Sequence, residues 1–124
     1  MEKIRSFTGL HTWQEAHKLV LMTYALTAKF PTKEQYRLSG QMERAAVSVS
    51  SNIAEGFRRK TRRDKQNFYD IALSSLTELQ NQLIIARDLK YIDNSTFQKI
   101  AEQTVIVGKL INGLIKSATN HTRS

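Results

Sequence analysis

The sequence is poor in residues that break helices or form covalent links. It has no cysteine, one proline and five glycines among 124 residues. Without cysteine there is neither a disulfide nor a thiolate metal site. The longest stretches without a charged residue are ten residues each, at 19–28 and 45–54, about half of the ~20 that a membrane-spanning helix needs. A chain of this length can bury a core without disulfides or metals, so we expect one domain over 1–124 with its core at about 7–118.

Acidic residues are also in short supply. Eleven Asp and Glu face nineteen Lys and Arg, which gives a net charge of +8 and a sequence pI near 10.0. This balance favours a polyanionic partner, either nucleic acid or an anionic membrane surface, with nucleic acid preferred. The first residues lack the apolar stretch of a signal peptide. We therefore expect a soluble, cytoplasmic protein with no membrane partner.

Apolar residues recur at three- and four-residue spacing along four segments, as in amphipathic helices. The predicted helices cover residues 12–29, 32–56, 62–90 and 95–118. Pro31 ends the first helix, and Thr32 with Gln35 is a predicted capping box for the second. Gly56 is the predicted C-terminal glycine of the second helix. Short connections favour antiparallel neighbours, so the predicted fold is all-α, an antiparallel up-down-up-down four-helix bundle.

The apolar stripe on each helix is its predicted core face. On the first helix the stripe comprises Leu10, Trp13, His17, Val20, Leu21, Tyr24 and Ala28. On the second it comprises Leu38, Met42, Ala45, Val49 and Ile53. The third and fourth stripes comprise Phe68, Ala72, Ser75, Leu76, Leu79, Leu83 and Ala86, then Phe97, Ile100, Thr104, Val107, Ile111, Leu114 and Ile115. A second apolar edge on three helices predicts self-association; its members are Leu19, Met22, Leu26, Leu73, Ile84, Ile106 and Leu110.

The second helix also carries a polar stripe. Its central residues follow one another at three- and four-residue steps, and they are Arg44, Ser48, Asn52 and Glu55. Their side chains can therefore join in a hydrogen-bond network. Because small residues flank them, this network suits a partly buried subunit contact. A solvated helix face is the alternative interpretation.

Six cations lie directly after this helix: Arg58, Arg59, Lys60, Arg62, Arg63 and Lys65. With Asp64 among them, six cations less one anion give +5, more than half of the chain's +8. One or two cations would be enough to complement the C-terminus of a helix. The cluster therefore predicts a phosphate-binding site, with solvated charge as the alternative. Phe57, Phe68 and Tyr69 flank the cations and could stack on unpaired bases, although Phe57 and Phe68 suit the core better.

Catalytic patterns are scarce. No glutamate has a histidine three residues later, as a di-iron bundle requires, and the three histidines are widely separated. His17 lies on the first core stripe and is predicted to be a core histidine. No glycine-rich phosphate loop or nucleophile elbow occurs. We predict no catalytic residue, metal site or cofactor. The exception is Arg5 with His11, which fits the loose Arg-x(4–6)-His pattern of HEPN-type helical ribonucleases.

Three segments carry a family resemblance: "LHTWQEAHKLV", "FPTKEQYRLSGQMERAAVSVSSNIAEGFRR" and "YDIALSSLTELQNQLIIARDLKYI". They resemble the bacterial four-helix-bundle family encoded by intervening sequences in 23S ribosomal RNA genes. The accessory variability determinant proteins of diversity-generating retroelements are relatives of that family. The most specific match is Arg44-Ala45-Ala46, then Ser48, then Asn52 to Gly56, with Glu78 in support. Lys90 departs from the pattern, because a turn glycine is usual there.

The resemblance implies a homopentameric ring without enzymatic activity. It also implies nucleic-acid binding and a reverse transcriptase as partner, as in the retroelement relatives. In such a ring Arg44, Ser48, Asn52, Glu55 and Glu78 would lie at or near the subunit contact. The leading hypothesis is a non-enzymatic, oligomeric accessory protein that binds RNA or DNA with little sequence preference. The alternatives are a small HEPN-type ribonuclease and a protein-interaction ring that binds no nucleic acid.

Overall fold

Four α-helices account for nearly all of the structure, a computed structural model that describes residues 7–123 and the side chains of residues 7–118. The helices are α1 (His11–Thr27), α2 (Leu38–Arg58), α3 (Arg62–Asp88) and α4 (Asn94–Arg123), with a short 3-10 helix at Thr32–Glu34. The described residues contain no strand. The all-α prediction is therefore confirmed. Among these residues, no helix is both long and apolar enough to cross a membrane.

Each helix packs against its neighbours in the chain, and α1 also packs against α4. Hydrogen bonds show how neighbours are aligned. The Thr27 hydroxyl at the end of α1 donates to Glu43 near the start of α2, at 2.6 Å. Gln80, late in α3, donates to Thr104 early in α4, at 3.0 Å. These contacts pair the end of one helix with the beginning of the next, as in an antiparallel bundle.

The predicted core faces of α2, α3 and α4 are largely confirmed. Met42, Val49 and Ile53 of α2 are fully buried. The same holds on α3 and α4 for Ala72, Leu79, Ala86, Val107 and Ile111. Leu38, Phe97, Leu114 and Ile115 are partly buried against this core, and Phe68 is partly buried. Helical periodicity was sufficient here because the large apolar residues of these helices coincide with the packed face.

The predicted core face of α1 is only partly right: Leu10, Trp13 and Val20 are partly buried against the core, but the most buried residues of the helix are others. Its buried residues are Thr12, Ala16, Leu19, Thr23, Leu26 and Thr27. Leu21 is 58% exposed and Tyr24 46% exposed, although both belong to the predicted stripe. The buried threonines explain the error, because the Thr23 hydroxyl donates to the Leu19 carbonyl at 2.8 Å and so needs no water.

The second apolar edge changes accordingly. Leu19 and Leu26 are core residues, and Met22, Leu73 and Leu110 are partly buried. Only Ile84 and Ile106 of the predicted set are exposed, at 42% and 43%. Exposed apolar residues that the prediction missed include Leu21, Tyr24, Ile71 and Val105. Apolar surface is therefore present on α1, α3 and α4, but on α1 it lies on a different side.

The ends of α2 also differ from the prediction. Thr32 and Gln35 do not form a capping box: Thr32 begins the 3-10 helix, which has no side-chain cap. The α-helix itself begins at Leu38, whose amide donates to the Glu34 carboxylate at 3.3 Å. At the other end Gly56 lies inside the helix, with a negative φ. It is buried against α3, so packing rather than chain reversal requires the glycine.

Lys90 ends α3 in a left-handed conformation, with φ 66°. Its amide donates to the Arg87 carbonyl at 3.0 Å, and the Tyr91 amide donates to the Ala86 carbonyl at 2.9 Å. This pair of bonds is a Schellman motif, which favours glycine at the left-handed position. The position where the family pattern has a glycine is thus occupied by a lysine in the left-handed conformation that glycine favours.

Candidate nucleic-acid interface

The connection between α2 and α3 places the basic cluster at one end of the bundle. Helix α2 ends at Arg58, and Arg59 follows it in an extended conformation. Helix α3 begins at Arg62, and the Thr61 hydroxyl caps it by accepting from the Asp64 amide at 3.1 Å. Only three residues separate the two helices. All six cations therefore lie on the last turn of α2, the connection or the first turn of α3.

Two arginines of the cluster share one carboxylate. Arg59 Nη2 donates to Glu55 Oε2 at 2.7 Å, and Arg58 Nη1 donates to the same oxygen at 3.1 Å. The Arg59 guanidinium also lies over the Phe68 ring, 4.6 Å from its centroid. These hydrogen bonds, from Arg58 first and then Arg59, hold the pKa of Glu55 below its usual range. Arg59 thus ties α2 to α3, whereas the Arg58 side chain is 67% exposed.

Lys65 is also used inside the fold. Its Nζ donates to the Phe57 carbonyl at 2.7 Å and to the Gly56 carbonyl at 3.3 Å. It lies 5.5 Å from the centroid of the Phe57 ring. Burial lowers the pKa of Lys65. Lys65 therefore caps two carbonyls at the C-terminus of α2, of which that of Gly56 also accepts from the Arg59 amide at 3.2 Å.

The remaining three cations, Lys60, Arg62 and Arg63, are exposed. Within the described residues they make no ion pair and no side-chain hydrogen bond. We call these three residues the free cations. The six cations of the cluster thus fall into three groups. Arg59 and Lys65 stabilise the fold, and Arg58 is exposed but paired with Glu55. The free cations form the third group. Sequence spacing alone did not distinguish these roles.

The predicted polar network on α2 is present in part. The hydroxyls of Ser48 and Ser75 are 2.7 Å apart and join α2 to α3. Asn52 Nδ2 donates to the Ser48 carbonyl at 2.8 Å and to its hydroxyl at 3.1 Å. Glu55 is bonded to Arg58 and Arg59 instead. This smaller network links two helices of one chain, and its role at a subunit contact stays a prediction.

Arg44 and Glu78, the other two residues assigned to the subunit contact, are exposed. Neither makes a hydrogen bond or ion pair among the described side chains. Both line a groove of about 260 Å³ between α2 and α3, together with Gln41, Ser48 and Ser75. The two opposite charges therefore remain available on the surface of this groove.

His11 and His17 are the two histidines whose side chains the structure describes. His11 begins α1 and is exposed, whereas Arg5, its partner in the ribonuclease pattern, lies outside the described residues. His17 is exposed and stacks on the Trp13 ring, 4.8 Å between centroids at 14°, so its assignment to the core is wrong. The side chains of residues 7–118 form no group of three or more His, Asp or Glu that could hold a metal ion.

Of the three aromatic residues beside the cluster, Tyr69 is the most buried. Tyr69 is only 2% exposed and belongs to the core, whereas Phe57 and Phe68 are partly buried. The sequence prediction had preferred Phe57 and Phe68 for the core. A signal was available in principle, because Tyr69 precedes Ala72 and Leu76 by three and seven positions on the buried face of α3.

The helices and their basic end define a class of small all-α protein, and comparison with known proteins supplies the family. The chain belongs to the family of 23S rRNA-intervening sequence proteins, whose model matches residues 8–113. A crystal structure from Bacteroides thetaiotaomicron, described as a protein of unknown function from the S23 ribosomal protein family, has a similar fold. It is 22% identical, with 85% of this chain and 95% of that chain covered and a TM-score of 0.78. No curated protein matches the chain.

Proposed function

We propose that this chain is a non-enzymatic, oligomeric protein that binds RNA or DNA through the phosphate backbone. The observation that carries the proposal is the set of free cations, Lys60, Arg62 and Arg63, at one end of the bundle. Lysine and arginine side chains that are not engaged within the fold can contact phosphates and release counterions from the nucleic acid.

The position of the free cations argues against a purely structural role. Arg62 and Arg63 lie in the first turn of α3, where the positive end of the helix dipole disfavours cations. Asp64 is the only residue of this turn whose charge suits the dipole. The two arginines therefore weaken the helix slightly where they are, and a bound phosphate would offset that repulsion. Stabilisation of the fold does not account for them.

The low sequence preference of the proposed binding follows from the same geometry. Contacts to phosphate position a protein on nucleic acid without reading the bases. Lys60 lies in a connection of only three residues and Arg62 and Arg63 begin α3, so the described residues add no separate recognition helix or β-ribbon at this end of the bundle. We therefore expect similar affinities for unrelated sequences of the same length and strandedness.

The proposal includes assembly into a homo-oligomer. Exposed apolar residues on α1, α3 and α4, among them Leu21, Ile84 and Ile106, support a subunit contact. The family resemblance supports five subunits, and its retroelement relatives support a reverse transcriptase as a protein partner. A ring would repeat the free cations, so weak contacts would act together and strengthen binding.

Two measurements test the proposal. Fluorescence anisotropy with labelled RNA and DNA should show binding to both, without cleavage of either strand on a denaturing gel. Light scattering should report a mass several times that of the 14.2 kDa chain. A monomer that binds no oligonucleotide at low salt would contradict the proposal. An oligomer that binds no nucleic acid would favour the protein-interaction ring, to which the exposed apolar surface also points.

A further inference from the structure

A cavity of about 490 Å³ opens beside the free cations, where the α2–α3 connection faces the last turns of α4. Its volume lies within the about 300–1,000 Å³ that is usual for small-molecule sites. Cationic and apolar side chains meet in it, and those that matter here are Phe57, Lys60, Arg62, Lys65, Tyr69 and Leu114. The cavity is therefore suited to a ligand with an anionic part and a flat or apolar part.

Tyr69 offers a hydrogen-bonding group to a ligand in the cavity. It lines the cavity and is 2% exposed, yet its hydroxyl makes no hydrogen bond within the described residues. The hydroxyl oxygen itself is not fully enclosed by protein, so it can be reached from the cavity. Burial raises the pKa of Tyr69, so the hydroxyl stays protonated at neutral pH and can both donate and accept. A ligand in the cavity would supply the missing partner.

The ring of Tyr69 is held in place by close packing. A Cβ atom at Gly56 would lie 2.6 Å from Tyr69 Cε1, so only glycine at that position allows the ring its present place. The hydroxyl is the only polar side-chain atom of this residue. A fixed ring with an unpaired hydroxyl is a preorganised element of a binding site.

The anionic part of a ligand would find three cations. Lys60 and Arg62 are exposed and unpaired, and both line the cavity. Lys65 uses two of its three N–H donors on the carbonyls of Gly56 and Phe57, which leaves one donor for a ligand. Phosphate is the anion that such a group of lysine and arginine donors suits.

We propose that this cavity takes one unpaired nucleotide of a single-stranded nucleic acid, with the edge of the base on the Tyr69 hydroxyl and the phosphate on Lys60 and Arg62. The inference rests on the proposed function and goes beyond it, because it specifies single strands over duplexes. A paired base is stacked inside its duplex and cannot enter the cavity. A hydroxyl that both donates and accepts is compatible with any base edge, in agreement with low sequence preference.

The test compares Tyr69→Phe with wild type on two labelled strands that carry the same number of phosphates, one with bases and one abasic. For wild type, loss of the bases should weaken binding about three- to ten-fold, because the hydrogen bond between the base and the Tyr69 hydroxyl is lost. Tyr69→Phe should weaken binding of the base-bearing strand about three- to ten-fold, the value of one hydrogen bond, and leave the abasic strand unaffected. Tyr36→Phe, at an 86% exposed tyrosine, is the matched control and should change neither affinity.

Tyr69→Phe should fold as well as wild type, because it keeps the buried ring and removes a hydroxyl that makes no hydrogen bond within the described residues. A thermal melt of the variant checks this directly. Equal affinity of wild type and Tyr69→Phe for the base-bearing strand, with salt-dependent binding retained, would overturn the nucleotide site and leave the proposed function standing. No binding of either strand by wild type would overturn both.

Discussion

Replacement of Gly56 by alanine probes the contact that holds α2 and α3 together beside the basic cluster. The new Cβ atom would lie 2.6 Å from Tyr69 Cε1, 2.9 Å from Tyr69 Cδ1 and 3.1 Å from Phe68 Cβ. The first two distances are too short, and the atoms belong to a rigid ring in the core. Either helix α2 must move away from α3 or Tyr69 must leave its position.

Two opposing terms set the size of the effect. Overpacking of a close-packed core typically costs about 1–3 kcal/mol. Alanine in a helix interior is favoured over glycine by about 0.5–1 kcal/mol. We therefore expect Gly56→Ala to lower the free energy of unfolding by about 0.5–2 kcal/mol, with the steric term dominant.

Gly113→Ala is the matched control, because it lies in α4 with nothing within 4 Å of the added Cβ. It should raise the free energy of unfolding by about 0.5–1 kcal/mol through helix propensity alone. Urea denaturation followed by circular dichroism, at one protein concentration for all variants, measures both changes. If Gly56→Ala were as stable as Gly113→Ala, the close approach of the Tyr69 ring would be refuted.

Three further predictions concern single residues. Lys90→Gly should stabilise the fold by about 0.5–1 kcal/mol in urea denaturation, because a left-handed lysine costs about 1–2 kcal/mol and the glycine entropy offsets part of that gain. The Tyr91 hydroxyl donates to Glu34 at 2.8 Å and is the main cause that lowers the pKa of Glu34, so Tyr91→Phe should raise this pKa in an NMR titration. Because the pKa of Glu34 is lower in the folded than in the unfolded chain, the Glu34 carboxylate stabilises the fold at pH values above its unfolded pKa near 4.5. This stabilisation is lost as the pH falls through the folded pKa. Tyr91→Phe should therefore make the free energy of unfolding fall less steeply in acid. Glu55→Ala should destabilise less than Gly56→Ala, since its arginine partners reach solvent, and a larger loss in the same assay would indicate a buried network.

The sequence was sufficient for the number of helices and for three of the four core faces. On α2, for example, Met42, Val49 and Ile53 are both the large apolar residues and the buried ones, so periodicity and packing agree. On α1 they disagree. Thr12 and Thr23 are buried while Leu21 is exposed, because a threonine hydroxyl can bond to its own helix and a single leucine can remain at the surface.

The position of the basic cluster between α2 and α3 was also predictable. Which of its cations contact the fold and which remain free was not. The spacing of the cations does not reveal that Lys65 reaches the carbonyls of Phe57 and Gly56, or that Arg59 packs on Phe68. These contacts depend on the angle at which α3 leaves the connection. The cavity is less predictable still, because Leu114 of α4 comes from a distant part of the chain. Long-range packing determined these features, and local pattern carried no signal for them.

The central claim is that the free cations bind phosphate, and the slope of affinity against salt tests it most directly. Each phosphate contact should contribute about −0.7 to a log–log slope for single strands and about −0.9 for duplex. The test variant is Lys60→Gln with Arg62→Gln and Arg63→Gln. Its control removes the same charge elsewhere, at three exposed lysines on α1, the 3-10 helix and α4: Lys18, Lys33 and Lys109.

The measurement is a salt titration of binding to one labelled oligonucleotide by wild type and both triple variants. The account predicts that the test variant binds more weakly with a distinctly flatter slope, whereas the charge-matched control keeps a slope close to that of wild type. Circular dichroism should show the same helical content for all three, because none of the six replaced side chains is buried. Equal slopes for wild type and the test variant, or equal losses in the two triple variants, would contradict a phosphate site at Lys60, Arg62 and Arg63.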